Sequence, residues 1–529
     1  MSKLVDQSTA DLRLCASRFD SNHAWWLGLL LAVVVVIAIN PIGYIGGGMD
    51  DWQYLEAARC WRAHGPCLPH DHWQGRWPVI APLAAVTTLF GESRFTVGLV
   101  PLAASVGCLV LLALLGNRLF GRPVGFIASL LYLTVPAFSI QLLDPTVEAT
   151  ELAFCLGGAL ALVKWQGSPR LLWPLLAGLS FSLAIQVRET AAVATLFAGA
   201  FMLFRRDKAR LQQWVAATAG LFAPLILELI VFWIATGDPL WRRRQSLAHT
   251  QIPSSELLGP IDRHHSAFLN PAYIAHWRRE PGIHIHWLVD GLVNLFANAK
   301  AGLLLSFVPV LLFAYRNFFD GQTKKVLWRA YLCSLLYISI LIYVLAIDPK
   351  ARMMFVPLAM LAVVMACLLT RLIDAGRRAV PAVLFASHVG VGIFVLFIQQ
   401  HVYPLEKPAA AWIAQAPGQI EADENTRRHL ALVPSVDQLP DLRGTKPFLM
   451  IKSSVNCSIW VEHAQKGQRL ALVAHVPMSR GRFLDPRLTG ELCLFKVPIG
   501  MTANELNSAV TRADWYTQEA VNVHQLTFR

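Results

Sequence analysis

The chain has 529 residues, of which 55% are hydrophobic and 15% are charged, and its formal net charge is +12. A soluble protein of this length carries far more charge, so the composition excludes an ordinary soluble enzyme and favours a membrane protein. The basic residues cluster in short loops between apolar runs, where they orient a membrane protein, so the positive charge does not indicate binding to nucleic acid.

The first predicted element is an apolar run over residues 24–39. A helix that crosses the hydrocarbon core of a bilayer needs about 20 mostly apolar residues, and this run approaches that length. It lacks a basic leading segment and a small-residue cleavage site at the usual distance, so we interpret it as a retained span and not as a secretory signal. Residues 1–24 then form a cytoplasmic N-terminal tail.

Similar apolar runs recur as far as Phe397 and predict about eleven membrane-spanning helices. The predicted fold is therefore an all-α polytopic membrane bundle over residues 25–399, with further helices at its outer surface and a small C-terminal α/β domain. The predicted spans are residues 25–43, 95–115, 124–141, 147–163, 171–187, 190–204, 214–235, 300–315, 330–347, 353–370 and 380–398.

Alternate loops differ in charge. One set is short and basic, as in the loop around Arg118 and the loop from Arg205, and the positive-inside rule places this set in the cytoplasm. The opposite set contains two longer loops, 44–94 and 236–299, and the tail from residue 400. We therefore expect a multi-pass protein of a bacterial inner membrane, with its N-terminus in the cytoplasm and its C-terminal domain in the periplasm.

An acidic pair begins the first long outer loop. Asp50 and Asp51 follow a glycine run, and a helix-like stretch and a second short apolar stretch come after them. Two short helices lying on the membrane, with this pair at their start, would form a surface over the bilayer. The pair could also do no more than cap the helix that follows.

Further charged residues lie at the predicted outer ends of the spans. Asp144 occupies a tight corner, and acidic groups this close to hydrocarbon usually have a partner or a task; Glu148 and Glu151 are expected to be more deeply embedded. The cations suit a phosphate held at the bilayer surface, although lipid headgroups are an alternative ligand for each of them. They are Arg76, Arg188, the run Arg242, Arg243 and Arg244, Lys350 and Arg352.

Two histidine pairs in the outer loops, His70 with His72 and His284 with His286, could each offer two ligands to a divalent metal ion. His70 and His72 are the better candidates, and otherwise no cofactor is predicted. Histidines in loops are usually just solvated, so the alternative is that no metal binds.

The tail over residues 400–529 changes character. Apolar and polar residues alternate at 448–452, 458–462, 469–476 and 491–497, which predicts short strands in a small extracytoplasmic domain. Cys457 and Cys493 flank two of these strands and could form a disulfide in an oxidising compartment or remain buried thiols. For Cys60 and Cys67 the sequence leaves the same two alternatives open.

Taken together, the motifs resemble the C-type glycosyltransferase superfamily, in the branch of protein O-mannosyltransferases, bacterial aminoarabinose–lipid A transferases and rhizobial galacturonosyltransferases. The resemblance covers about residues 25–370 and not the tail. Many members have Arg-Tyr where this chain has Arg352-Met353. The matching segments are MDDWQYLEAA, RWP, LLDPTVEA, GLSFSLAIQVRETA and ARMMFVPLAML.

The resemblance implies a transferase whose donor is a sugar on a polyprenyl phosphate and whose acceptor is a lipid, glycan or protein outside the cytoplasm. It implies that Asp50 or Asp51 is the catalytic base, that Asp144 is a second acid, and that Arg352 and Arg188 hold the donor phosphate. Lys350 and Arg76 are further candidates for binding the donor phosphate because of their charge and position at the predicted outer surface. Inverting transfer needs such a base and a cation beside the leaving phosphate. A transporter or flippase and an O-antigen-ligase-like enzyme are the alternatives; charges at span ends favour the enzyme over a transporter.

Overall fold

The computed structural model describes residues 22–40, 49–70, 73–166, 168–204, 211–249, 285–315, 321–345, 349–399, 406–415, 419–422, 426–427, 430, 432–433, 449–454, 470–476, 491–497, 504–505 and 508. Most of them are helical. The helices are α1 Asn22–Ile39, α2 Met49–His64, α3 Trp77–Phe90, α4 Arg94–Phe120, α5 Arg122–Leu133, α6 Pro136–Ile140, α7 Glu148–Trp165, α8 Leu172–Val187, α9 Ala191–Phe204, α10 Leu211–Thr236, α11 Trp241–His249, α12 Trp287–Ala297, α13 Leu304–Ala314, α14 Gly321–Ser339, α15 Phe355–Asp374, α16 Ala379–Gln399 and α17 Glu406–Gln415.

A helix lies within each of the eleven predicted spans, and this part of the fold prediction is confirmed. The third span differs from the prediction because Pro136 begins a new short helix, so α5 and α6 replace one continuous element. Among the described residues, five helices are long and apolar enough to cross a membrane, and several others are shorter apolar helices. The number of eleven spans therefore stays a prediction.

Helix α15 lies at the centre of the bundle. A helix that is apolar on all sides belongs in an interior, and Leu358, Leu361, Met365 and Leu368 are all buried on it. It packs against α5, α13 and α14. The 3-10 turn Ala351–Met354 precedes α15 and so connects this central helix directly to one end of the bundle.

Helix α10 lies at the periphery and packs against α8. A Cβ atom added at Gly178 or at Gly220 would overlap the backbone of the partner helix, so the close approach of the two helices depends on these glycines. Small residues of this kind are typical of helix contacts within membranes. The opposite side of α10 exposes Phe222, Leu227 and other large apolar side chains, as a lipid-facing helix does.

Helices α2 and α3, which follow α1 and precede α4 in the sequence, pack against each other. Tyr54 and Leu55 of α2 are buried against Ile80 and Leu83 of α3, and this confirms that two helices occupy the first predicted outer loop. A disulfide joins Cys60 to Cys67 and closes the loop after α2. The free thiols that the sequence left open as an alternative are therefore excluded for this pair.

The described part of the tail contains a four-stranded sheet in the order β1-β2-β4-β3, and β1 is parallel to β2 while the other pairs are antiparallel. Strands β2, β3 and β4 overlap three of the predicted strands, whereas the three-residue β1 was not predicted. The fourth prediction, at 458–462, and Cys457 lie outside the described residues; Cys493 is disulfide-bonded. The strands are β1 Ile420–Ala422, β2 Leu449–Ser454, β3 Ala471–Val476 and β4 Glu491–Lys496.

Candidate active site

The predicted site residues come from six segments that meet at one end of the bundle. Acids stand in the first turns of two helices, where the positive end of the helix dipole stabilises them: Asp50 and Asp51 in α2, Glu148 and Glu151 in α7. Arg188 follows the last residue of α8, where the dipole favours a cation. The remaining members of the site are Arg76 before α3, Asp144 between α6 and α7, and Lys350 and Arg352 before α15.

The carboxylate of Asp50 is held by two groups. The Trp73 indole Nε1–H donates a hydrogen bond to Asp50 Oδ1 at 2.8 Å, and Asp50 Oδ2 lies 3.6 Å from Arg352 Nη2. The Asp50 side chain nevertheless keeps 27% of its surface exposed. Its orientation is thus defined while the carboxylate remains accessible to another molecule.

Asp51 is more deeply buried, with 7% of its surface exposed. Its Oδ1 accepts a hydrogen bond from the backbone N–H of Trp52 at 2.9 Å. Trp52 is the fourth residue of α2, so this contact lies within the first turn of the helix. The two aspartates of the acidic pair therefore differ in environment, which the sequence did not distinguish.

Arg352 also connects the acidic pair to a row of buried charges. Arg352 Nε lies 4.0 Å from Glu148 Oε1, and the same oxygen lies 3.8 Å from Arg188 Nη1. Arg188 is in turn 3.8 Å from Glu151 Oε2, and Thr190 donates to Glu151 Oε1 at 2.9 Å. Acids and cations alternate along this row, as buried charges require.

The side chains of Arg188 and Arg352 differ in their exposure to solvent. The Arg188 side chain is 9% exposed and the Arg352 side chain 35%. Arg188 Nη2 also lies 2.6 Å from the Sδ of Met353, the residue that stands where many members of the resembled superfamily have tyrosine. Arg352 is therefore the member of this row that another molecule can reach.

Asp144 lies in the corner between α6 and α7 with 9% of its surface exposed. Burial raises its pKa well above the usual range for aspartate; the charge of Asp51 raises it further, while Arg94 and Arg352 lower it. Asp144 Oδ1 is buried without a hydrogen-bond partner in the described part of the chain. Asp144 thus holds its proton to a higher pH than an ordinary aspartate and can donate or accept a hydrogen bond.

Arg76 is not part of the row of charges that Arg352 joins. Its guanidinium donates to the Tyr54 hydroxyl and lies 5.8 Å from the centre of the Tyr54 ring. Burial raises the pKa of Tyr54, so the phenol stays neutral. Lys350 is half-buried two residues before Arg352, directly before the 3-10 turn.

Arg242 of α11 was grouped by sequence with the phosphate-binding cations, but the structure gives it protein partners. It lies 3.2 Å from Glu228 and 3.3 Å from Glu189, and it donates to the backbone oxygen of Gln186 at 2.8 Å. Although burial raises the pKa of Glu189, the charges of Arg242 and Arg76 bring it below its ordinary value. Arg242 therefore fixes α11 to the ends of neighbouring helices.

The predicted metal pair, His70 and His72, lies only partly within the described residues. His70 is exposed, and its backbone N–H donates to Gln74 Oε1 at 3.1 Å, while His72 lies outside the described residues. Within the described ranges, no group of three or more His, Cys, Asp or Glu side chains is arranged to hold a metal ion.

Several residues of the site carried little or no signal in the sequence. Trp73, which donates a hydrogen bond to Asp50, and Tyr54, which accepts one from Arg76, are ordinary aromatic residues of a loop and a helix.

Glu148 and Glu151 were expected to be embedded, and both are buried beside Arg188. Their spacing of three residues on α7 places them on one helix face, which is the signal that identifies them.

Residues 78–233 match the family described as "Dolichyl-phosphate-mannose-protein mannosyltransferase". No curated protein matches the sequence significantly.

Solved structures with a similar arrangement include the oligosaccharyltransferase of Archaeoglobus fulgidus with a tethered acceptor peptide, at 10% identity and a TM-score of 0.48, over 84% of this chain and 71% of that chain. ArnT from Cupriavidus metallidurans is similar at 14% identity and a TM-score of 0.47, over 89% of this chain and 98% of that chain. The family match agrees with the resemblance drawn from the motifs: over residues 78–233 the chain is similar to the protein mannosyltransferases.

Proposed function

We propose that this chain moves a sugar from a polyprenyl-phosphate carrier to a lipid, glycan or protein acceptor at the extracytoplasmic surface of a bacterial inner membrane, with inversion at the anomeric carbon. The observation that carries the proposal is the distance of 3.6 Å between Asp50 and Arg352. Transfer from a phosphodiester needs a base and a phosphate-binding cation close to one reacting centre, and this pair supplies both.

In the proposed reaction, Asp50 removes the proton from the acceptor hydroxyl or amine as that group attacks the anomeric carbon. The bond between the anomeric carbon and the phosphate oxygen breaks, and the electron pair leaves with the polyprenyl phosphate. Asp50 is preferred over Asp51 as the base because it is more exposed and is oriented by Trp73. Asp51 is occupied at its own helix terminus.

Arg352 is proposed to contact the donor phosphate. Its side chain is the more exposed of the two arginines in the row, and Lys350, two residues earlier, adds a second positive charge near it. A guanidinium can contact two phosphate oxygens at once and stabilises the charge that the leaving group gains. Arg188 is buried between two glutamates, so we assign it the role of holding Glu148 and not of binding phosphate. Arg76 is likewise proposed to act through Tyr54.

The disulfide between Cys60 and Cys67 supports the proposed sidedness. Disulfides persist in oxidising compartments such as the periplasm and are rare in the cytoplasm. This one lies in the loop that carries Asp50 and Asp51. The site then faces the periplasm, where nucleotide sugars are absent and a lipid-linked donor is required, and membrane lipids surround the apolar helices.

The proposal is tested with the purified chain in detergent, radiolabelled sugar–polyprenyl phosphates and an envelope extract as the source of acceptor. We expect label to reach an acceptor with the unmodified chain. The same result is expected with the control variant Asp374→Asn, because Asp374 is an exposed acid at the far end of α15. Transfer should be lost with Asp50→Asn. Folded protein that transfers no sugar from any donor would contradict the proposal and favour the transporter alternative, which is then tested by flux assays.

A further inference from the structure

The corner between α6 and α7 contains an unusual concentration of buried polar atoms without partners. Of the eleven such side-chain atoms in the described part of the chain, five belong to residues 141–150. A buried acceptor that lacks a hydrogen-bond partner costs free energy, and most proteins contain few of them. A bound ligand that donates hydrogen bonds to this corner would satisfy them.

Four of the five atoms form one set, which belongs to residues 141–148, the corner and the first residue of α7. They are Gln141 Oε1, Asp144 Oδ1, Thr146 Oγ1 and Glu148 Oε2, and all four residues are at least nine-tenths buried. The fifth residue, Thr150, is also buried. Two positions along a helix correspond to a rotation of about 200°, so Thr150 lies on a different side of α7 from Glu148.

The set adjoins the residue proposed to bind the phosphate. The other carboxylate oxygen of Glu148, Oε1, lies 4.0 Å from Arg352 Nε. Asp144 is close enough to Asp51 and to Arg352 for both charges to affect it. In a sugar–polyprenyl phosphate the sugar is bonded directly to the phosphate, so its hydroxyl groups must lie beside the cation that holds that phosphate.

The chemistry of the set indicates the kind of sugar. All four atoms are oxygens that can accept hydrogen bonds; Gln141 Oε1 and the carboxylate oxygen of Glu148 can only accept, while the Thr146 hydroxyl and a protonated Asp144 can also donate. Hydroxyl and ammonium groups donate hydrogen bonds and fit such a set. A sugar carboxylate would bring a further negative charge into a buried region that already holds Glu148 and Glu151 beside Arg188.

We propose that Gln141, Asp144, Thr146 and Glu148 bind the sugar of the lipid-linked donor, and that this sugar carries hydroxyl or amino groups and no carboxylate. The inference rests on the proposed function and specifies its donor.

The experiment measures dissociation constants in detergent for four polyprenyl phosphates: one without sugar, one with a neutral hexose, one with an amino sugar and one with a hexuronic acid. The variants are Thr146→Val and Gln141→Leu, with Thr150→Val as the matched control. Loss of one hydrogen bond to a neutral group weakens binding by about 3- to 10-fold. We expect that loss with Thr146→Val and with Gln141→Leu for the neutral or amino sugar, with unchanged binding of the sugar-free carrier.

The control variant is expected to bind every donor as the unmodified chain does. Thr146→Val removes a buried hydroxyl without a partner, so it should not lower the free energy of unfolding, which thermal unfolding verifies. Gln141→Leu provides an independent second variant. Tightest binding of the hexuronic acid donor would overturn the inference, and so would equal losses in Thr150→Val. Failure of the unmodified chain to bind any of the four lipids would instead contradict the proposed function.

Discussion

The guanidinium of Arg352 lies 3.6 Å from the carboxylate of Asp50, although Arg352 lies in the 3-10 turn before the central helix α15 and Asp50 lies in the first turn of α2. Arg352 also lies 4.0 Å from Glu148 at the start of α7. One cation therefore connects the acidic pair of the first outer loop to the buried charges of the bundle. Since its side chain is partly exposed, it can exchange these contacts for a phosphate.

The role of Arg352 predicts a specific loss of donor binding. In Arg352→Gln the hydrogen bonds from a charged group to the phosphate are lost, and we expect the dissociation constant of the sugar-free polyprenyl phosphate to rise by about 10- to 100-fold. Isothermal titration in detergent measures this constant. Arg371→Gln, at the opposite end of α15, serves as the control and should leave it unchanged. An unchanged constant in Arg352→Gln would remove this residue from the phosphate site.

The buried charges around Arg188 predict a loss of stability. Arg188→Met leaves Glu148 and Glu151 buried without their shared cation, and breaking a buried pair in this way costs about 3 to 5 kcal/mol. Chemical unfolding in detergent measures the free energy of unfolding. Adding Glu151→Gln to Arg188→Met removes one of the stranded charges and should recover part of the loss. If Arg188→Met is as stable as the unmodified chain, the row of charges does not stabilise this end of the bundle.

The raised pKa of Asp144 predicts that the free energy of unfolding depends on pH. Its pKa in the folded chain is raised above the unfolded value, near 4, so the folded state retains a proton that the unfolded state releases. Its contribution to stability is complete below the unfolded pKa and is lost as pH rises through the folded pKa. Asp144→Asn removes this contribution, so the stability difference between variant and unmodified chain should shift in favour of the variant with rising pH. A difference that is constant across pH would contradict the raised pKa.

The proposed sidedness predicts which cysteines react from outside the cell. After reduction with an impermeant reductant, an impermeant thiol reagent should label Cys60 and Cys67 in intact cells and should not label Ala209→Cys in the basic loop 205–213. Cys60→Ser combined with Cys67→Ser identifies the labelled positions. Labelling of Ala209→Cys alone would invert the topology and place the candidate site in the cytoplasm.

Much of the fold could be predicted from the sequence because one physical requirement dominates it. A segment that crosses hydrocarbon must be apolar over a fixed length, so a helix was found in each predicted span. The break before Pro136 was not predicted, because the apolar run continues through it. Strand β1 is three residues long and depends on its partner β2, and no local pattern predicts so short a strand.

The sequence predicted those site residues that are charged and that stand at the end of a predicted span. Asp50, Asp144, Arg188 and Arg352 stand at span ends on the same predicted side, so their placement at one end of the bundle follows from topology. The contacts of Trp73 with Asp50 and of Tyr54 with Arg76 depend on how α2 and α3 pack, and the sequence contains no spacing that indicates them. The pairing of Arg242 with Glu228 is likewise a contact between separate helices.

The most direct test of the account compares sugar transfer by Asp50→Asn and Asp51→Asn with transfer by the unmodified chain, using a radiolabelled sugar–polyprenyl phosphate under single-turnover conditions. Loss of a general base slows the chemical step by about 100- to 10,000-fold, and we expect this loss in Asp50→Asn with unchanged donor binding. The amide oxygen of an Asn side chain accepts a hydrogen bond from the Trp52 N–H as the carboxylate does, so Asp51→Asn should retain most of the rate. Transfer by Asp50→Asn at the rate of the unmodified chain would contradict the assignment of Asp50 as the base and with it the proposed mechanism.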